Sequence, residues 1–201
     1  ISSINPKKDS TLAMLLEAQA RGWQLHYMEQ GDLYLKDAKP HARMQHLVVE
    51  DNLNGWFTLT NEEHTPLGEL DVILMRKDPP FNIEYIYDTY MLELAENAGV
   101  LVVNKPQSLR DANEKLYTSW FPQCTTPSLV ARDGERIKAF LAEYGDIILK
   151  PLSAMGGESI FRVRSNEPNI NVIIEVMTAY GKNMVMAQRY IPEISQVDKR
   201  I

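Results

Sequence analysis

With 201 residues, 44% of them hydrophobic and 24% charged, the chain has enough apolar side chains for one large domain or two smaller ones, each with its own core. A net charge of −6 argues against a nucleic-acid or anionic-membrane surface, which clustered Lys and Arg would have to build. The single cysteine, Cys124, cannot close an internal disulfide, and no apolar run approaches the roughly 20 residues that span a bilayer, so a cytoplasmic protein with neither a nucleic-acid nor a membrane partner is expected.

Helical and strand patterns alternate along the chain, which predicts an α/β fold with a largely parallel sheet. The first ten residues, ISSINPKKDS, lack the charged and apolar regions of a secretory signal. Asp9 or Ser10 can cap a helix carrying Leu12, Leu15, Leu16 and Gln19, and Gly22 is placed to end it. No strand precedes that helix; a strand over 24–28 follows it. Between residues 31 and 60, DLYL, QHLVVE and GWFTLT alternate as hairpin strands do and predict an antiparallel appendage. Residues 71–76, DVILMR, read as a buried parallel strand. Ile83, Ile86, Tyr87, Tyr90, Met91, Leu94 and Ala95 then recur at helical spacing until Gly99, and VLVVN at 100–104 is another buried strand. Up to about residue 110 the pattern is that of a doubly wound unit.

Pro122 and Pro127 interrupt the periodicity, and a second unit begins near them. It runs through SLVAR, the helix GERIKAFLAEYG, the strand DIILK, a glycine loop, the strand SIFRVR, the helix NVIIEVMTAYG and the strand MVMAQRYIP.

Within DIILKPLSAMGGES, Lys150 ends an apolar strand and Gly156 and Gly157 follow in a loop with few side chains. Backbone N–H groups in such a loop can converge on phosphate oxygens, and a nearby lysine supplies a compact charge. The order of parts excludes a P-loop, whose lysine follows its glycines, and a protein kinase, whose glycine loop precedes its lysine; GxGxxG is absent as well. Lysine first and glycines second predict a flap at the tip of a β-hairpin. Lys115, at a helix start, is a second cation able to bracket a polyphosphate. In MAQRYIP, a strand running into a proline-terminated linker exposes backbone groups that can read an adenine edge, and Asp198 can accept from a ribose. Each of these residues taken singly also fits an ordinary surface role. The four histidines lack metal-ligand spacing, so no metal site is assigned; Cys124 has no activating neighbour and reads as a plain thiol. Trp23, Trp56 and Trp120 read as core or interface residues.

NKPQSLRDANEKL, DIILKPLSAMGGESIFRV, MAQRYIP, DKR, LDVILMRKDPPF and KKDSTLAMLLEAQARGWQLHYMEQGDLYL together resemble the bacterial glutathione synthetases of the ATP-grasp superfamily, across essentially the whole chain. The resemblance implies a Rossmann-like pre-ATP-grasp domain at 1–112, followed at 113–201 by the first part of an ATP-grasp domain, its lid and hinge. It implies a ligase that uses ATP and Mg²⁺ to activate γ-glutamylcysteine as an acyl phosphate, which the amine of glycine then attacks. Lys115, Lys150, Met155, Gly156, Gly157, Ser159, Gln188, Arg189, Tyr190, Ile191 and Asp198 would contact ATP. Arg76 and Arg200 would grip substrate carboxylates, with Arg200 also assigned to catalysis. Members of the family begin with an apolar strand and carry their magnesium ligands in a C-terminal part, both lacking here, so the 201 residues alone are expected to be inactive. A homo-oligomer, a tetramer, is implied too. The flap departs from the family pattern at Ser153-Ala154, where Asp-Gly is usual. Another ATP-grasp carboxylate–amine ligase and a non-catalytic nucleotide-binding module are the alternatives.

Overall fold

The computed structural model describes all residues except 3, 53, 78, 79, 154–158 and 197–201. The chain divides into two compact units, Ile1–Asp78 with Ile83–Arg110, and Pro79–Asn82 with Asp111–Ile201.

In the first unit, helix α1 (Ser10–Ala20) starts where the Asp9 carboxylate accepts from the Thr11 N–H at 2.7 Å. Strands β1 (Leu25–Tyr27), β2 (Leu33–Lys36), β3 (Lys39–Val49) and β4 (Phe57–Pro66) follow. The long strand β3 organises them: β4 lies antiparallel along one edge, while β1 and β2 sit end to end along the other. The β2–β3 turn is made by Asp37 and Ala38, both left-handed at φ 50° and 59°, the geometry of a two-residue type I′ hairpin. One extra residue in β4, Asn61 at φ 45°, breaks the register between Gln45 and His46.

Val72–Leu74 (β5) and Leu101–Val103 (β6) form a parallel pair, joined through helix α2 (Ile83–Asn97). Ile73, Val102, Leu92 and Ala95 pack with Ala42 and Met44 of β3 in one core. Leu12 of α1 packs with Leu25, Leu47, Val49 and Trp56 in another. Helix α3 (Pro106–Asp111) is held to α2 by Arg110, which bonds Thr89 at 3.3 Å, pairs with Glu93 and lies 4.6 Å over the Tyr90 ring. The expected mixed α/β class holds, but the largely parallel sheet does not: only β5 and β6 pair in parallel among the described strands. The hairpin strands, read as an appendage, are the main sheet of the unit, because short polar turns favour antiparallel neighbours over crossovers. Of the three tryptophans, read as core or interface residues, only Trp56 is buried; Trp23 and Trp120, 57% and 62% exposed, are not core residues.

The second unit contains β7 (Ser128–Ala131), α4 (Gly134–Tyr144), β8 (Asp146–Pro151), β9 (Phe161–Arg164), α5 (Ile170–Met177) and β10 (Val185–Arg189). Asp133 caps α4 by accepting from the Glu135 N–H at 2.9 Å, and Gly145, at φ 75°, ends it. The four strands form an antiparallel sheet in the order β7-β10-β8-β9. Helices α4 and α5 cover one face, with Ile137, Leu141 and Ile174 packed on Ile147, Leu149, Val163, Val185 and Ala187.

Candidate functional site

Strand alternation decides what the face of the second sheet away from α4 and α5 carries. Since Ile147 and Leu149 point into the helix-covered core, Asp146, Ile148 and Lys150 point the other way. Cross-strand partners share a face. Met186 lies opposite Lys150, Gln188 opposite Ile148, and Val130 and Ser128 opposite those two; on the β9 side Arg162 faces Ile148 and Arg164 faces Asp146. The face therefore has an apolar floor of Ile148, Met186 and Val130. A cation, Lys150, stands at one end and the Asp146–Arg162 pair at the other.

Lys150 is half-buried, and its pKa is pushed below the ordinary lysine value, first by burial and second by the charge of Lys115. The two ammonium groups thus feel each other. Lys115 comes from the residue before the 3₁₀ turn Leu116–Trp120. Asn113 builds that start: its side-chain oxygen accepts from the Lys115 and Leu116 N–H groups at 3.1 and 2.9 Å, and its amide donates to the Leu152 carbonyl at 3.2 Å. Lys115 pairs with Glu114 at 2.9 Å, with its side chain only 14% exposed. Lys150 has no carboxylate partner among the described residues.

The strand end at 188–191 is anchored on both sides. The Gln188 amide donates to Ser128 Oγ at 2.8 Å, the Arg189 N–H to the Pro127 carbonyl at 3.0 Å, and the Tyr190 N–H to the Asp146 carbonyl at 3.0 Å. The Ile191 carbonyl accepts from the Ile194 N–H at 3.3 Å. Among the described residues, the Tyr190 C=O and the Ile191 N–H have no hydrogen-bond partner. These are neighbouring atoms of one peptide, an acceptor beside a donor, at the exposed rim of the sheet face. An adenine edge presents the complementary pair.

Ser159, beyond the glycines, takes a left-handed φ of 56°. Met155, Gly156, Gly157, Asp198 and Arg200 lie outside the described residues. Arg76, in the first unit, donates to Thr11 Oγ1 and Ser10 Oγ, both at 3.2 Å, at the start of α1. Its charge, with the Thr11 hydrogen bonds acting first, helps hold the Asp9 carboxyl below its ordinary pKa. Cys124 is an exposed thiol.

Sequence reasoning missed Asn113, Ile148, Met186, Val130 and the Asp146–Arg162 pair. The signal was present: once DIILK and SIFRVR are taken as a hairpin, alternation places Ile148 on the face of Lys150, and Arg162 across from it. Asn113 gave the weaker sign of an Asx turn before the residue that begins a helix.

Residues 1–110 match the family described as prokaryotic glutathione synthetase, N-terminal domain, and residues 114–201 match the ATP-grasp domain of the same family. The chain is 58% identical over all 201 residues to a glutathione synthetase of Vibrio vulnificus (strain YJ016) and 60% identical to one of Pseudomonas putida (strain KT2440). It spans 63% of the length of each. Among solved structures, the D-alanyl-alanine synthetase A of Vibrio cholerae superposes with a TM-score of 0.52 at 16% identity, over 90% of this chain and 54% of that one. The ATP-grasp ligase PsnB, complexed with a phosphomimetic variant of its minimal precursor, Mg and ADP, gives 0.52 at 15% identity, over 92% of this chain and 62% of that one. At such identities the likeness is one of fold. Matched along both of its units, the chain belongs to the prokaryotic glutathione synthetase family.

Proposed function

We propose that this chain is the nucleotide-binding part of an ATP-dependent ligase that joins γ-glutamylcysteine and glycine into glutathione. The observation that carries the reading is the Asn113 tether, which accepts from the Lys115 N–H and donates to the Leu152 carbonyl and so holds the Lys115 turn to the end of the strand carrying Lys150, while the other end of that sheet face offers a backbone acceptor and donor unpaired among the described residues. Two cations held near each other against their own repulsion fit a polyphosphate, and burial makes each contact stronger than it would be in water. The part-exposed Ile148 offers an apolar surface to a purine ring, and the Tyr190–Ile191 peptide meets its edge.

In this reading Lys115 and Lys150 hold phosphate oxygens and the hairpin between Pro151 and Phe161 covers them. Phosphoryl transfer requires mainly such positioning and charge from a protein, and a cover that excludes water protects the acyl phosphate of γ-glutamylcysteine until the glycine amine attacks. Gln188 and Arg189, whose side chains are tied to Ser128 and Thr126, serve through the backbone. Arg76 and Arg200 remain proposals for the substrate carboxylates, and Asp198 for the ribose. Magnesium accompanies ATP in such ligases, but no group of three or more His, Cys, Asp or Glu side chains suited to a metal occurs among the described residues, which do not fit its site. No helix among the described residues is long and apolar enough to cross a membrane; a cytoplasmic homo-oligomer is the accompanying proposal.

Two measurements test the reading. ATP binding should be lost in Lys150→Ala and weakened in Lys115→Ala. Phosphate release by the encoded enzyme should require γ-glutamylcysteine with glycine; release driven by D-alanine instead would make it a different ligase.

A further inference from the structure

Three elements meet at the end of the sheet face away from Lys150. Asp146 opens β8, Arg162 lies in β9, and Tyr190 follows β10. The Arg162 guanidinium grips the Asp146 carboxylate with Nε on Oδ1 at 3.0 Å and Nη2 on Oδ2 at 2.7 Å. Its Cζ lies 3.5 Å from the centre of the Tyr190 ring. The Tyr190 N–H meanwhile donates to the Asp146 carbonyl at 3.0 Å. Tyr190 is thus fixed at two points by a single residue of β8, directly through the backbone and indirectly through Arg162. The next peptide along, Tyr190–Ile191, is the one whose C=O and N–H are unpaired among the described residues.

We propose that Arg162 is a positioning residue for the nucleotide base: clamped on Asp146 and stacked on Tyr190, it sets the orientation of the Tyr190–Ile191 peptide and so the affinity for a purine, without touching the phosphates. This deepens the reading of the sheet face as an ATP site and rests on it. A bidentate carboxylate grip fixes a guanidinium plane in a way that a lysine ammonium does not, and a flat cation over an aromatic face resists rotation of the ring. Arg162 also lies in β9, which pairs with the strand carrying Lys150. Base and phosphate ends are therefore linked through one strand pair. Arg164, whose Nε lies 3.6 Å from Asp146, remains to neutralise that carboxylate when Arg162 is replaced, so the variant does not leave a bare charge behind.

The experiment measures equilibrium affinity for ATP and for inorganic tripolyphosphate, with thermal midpoints, in the wild type and in Arg162→Gln, Arg162→Lys, Tyr190→Leu and Lys150→Ala. Arg162→Gln and Tyr190→Leu are expected to lower ATP affinity by about fivefold to tenfold, with tripolyphosphate affinity within about twofold of wild type. Arg162→Lys should recover only part of the loss. The double variant Arg162→Gln with Tyr190→Leu should lose little more than either alone, since both act through one contact. ATP affinity unchanged in Arg162→Gln overturns the proposal, as does a parallel fall in tripolyphosphate affinity and thermal midpoint, which marks a purely structural clamp. If Lys150→Ala loses both ligands while Arg162→Gln loses neither, only this inference falls; if the wild type binds neither, the ATP reading falls with it.

Discussion

The side-chain amide of Asn113 donates to the carbonyl of Leu152 at 3.2 Å, and that bond ties the loop carrying Lys115 to the strand end carrying Lys150. Two cations have no reason to approach unless something else holds their backbones, and this tether does so while the same side chain caps the turn after Lys115. Replacing Asn113 with Ala should cost about 1 kcal/mol of stability by loss of the cap. It should also weaken ATP binding, with denaturant midpoints and binding isotherms as the readouts. Asn113→Asp keeps the accepted bonds but not the donor, and is expected to restore more of the stability than of the affinity.

Lys150 opposes folding and serves binding. Its folded pKa lies below the ordinary lysine value, so the protonated form is disfavoured in the fold at neutral pH, and the penalty is relieved only as pH rises through the lowered value. Lys150→Met should therefore raise stability by about 0.5–1 kcal/mol at pH 7 while abolishing ATP binding. In the wild type, affinity should begin to fall on the alkaline side at a pH below that of an ordinary lysine, because the charged form is the one that binds. A thermal shift series and a binding series against pH check the two halves separately.

Gln19 of α1 closes the sheet of the first unit. Its amide donates to the Val49 carbonyl at 2.7 Å and its oxygen accepts from the Val49 N–H at 2.9 Å, where β1 no longer reaches along the edge of β3. Gln19→Leu leaves both backbone groups without partners, at a cost of about 1–3 kcal/mol in chemical denaturation. Gln19→Glu, which can accept but not donate, should fall in between.

Ala38 sits at φ 59° in the turn between β2 and β3. A side chain there costs energy that glycine avoids, so Ala38→Gly should stabilise the first unit by about 1 kcal/mol. Hydrogen exchange at the β2 and β3 amides would report it locally.

The elements of the fold were legible because their patterns are local: the Asp9 cap, the stop at Gly99, and the strands DIILK and SIFRVR on either side of the glycines are all written within a dozen residues. The pairing of strands was less so. DVILMR reads as a parallel strand and does pair in parallel with β6, but nothing in LHY says that it lies against β3 antiparallel; register is decided by turns and by which faces find cover. In the site, Lys150 stands out by its place before the glycines. Arg162 is indistinguishable in sequence from any strand arginine until the hairpin sets it across from Ile148.

Met186 is almost fully enclosed, at 1% exposure, yet it belongs to the side of its sheet away from α4 and α5. Enclosed in this way, its thioether offers a base no strong donor or acceptor. Choosing adenine over guanine then falls to the main chain at the rim, so exchanging the side chains of Gln188 or Arg189 should leave that preference standing, while a proline at Ile191, which deletes its N–H, should erase it.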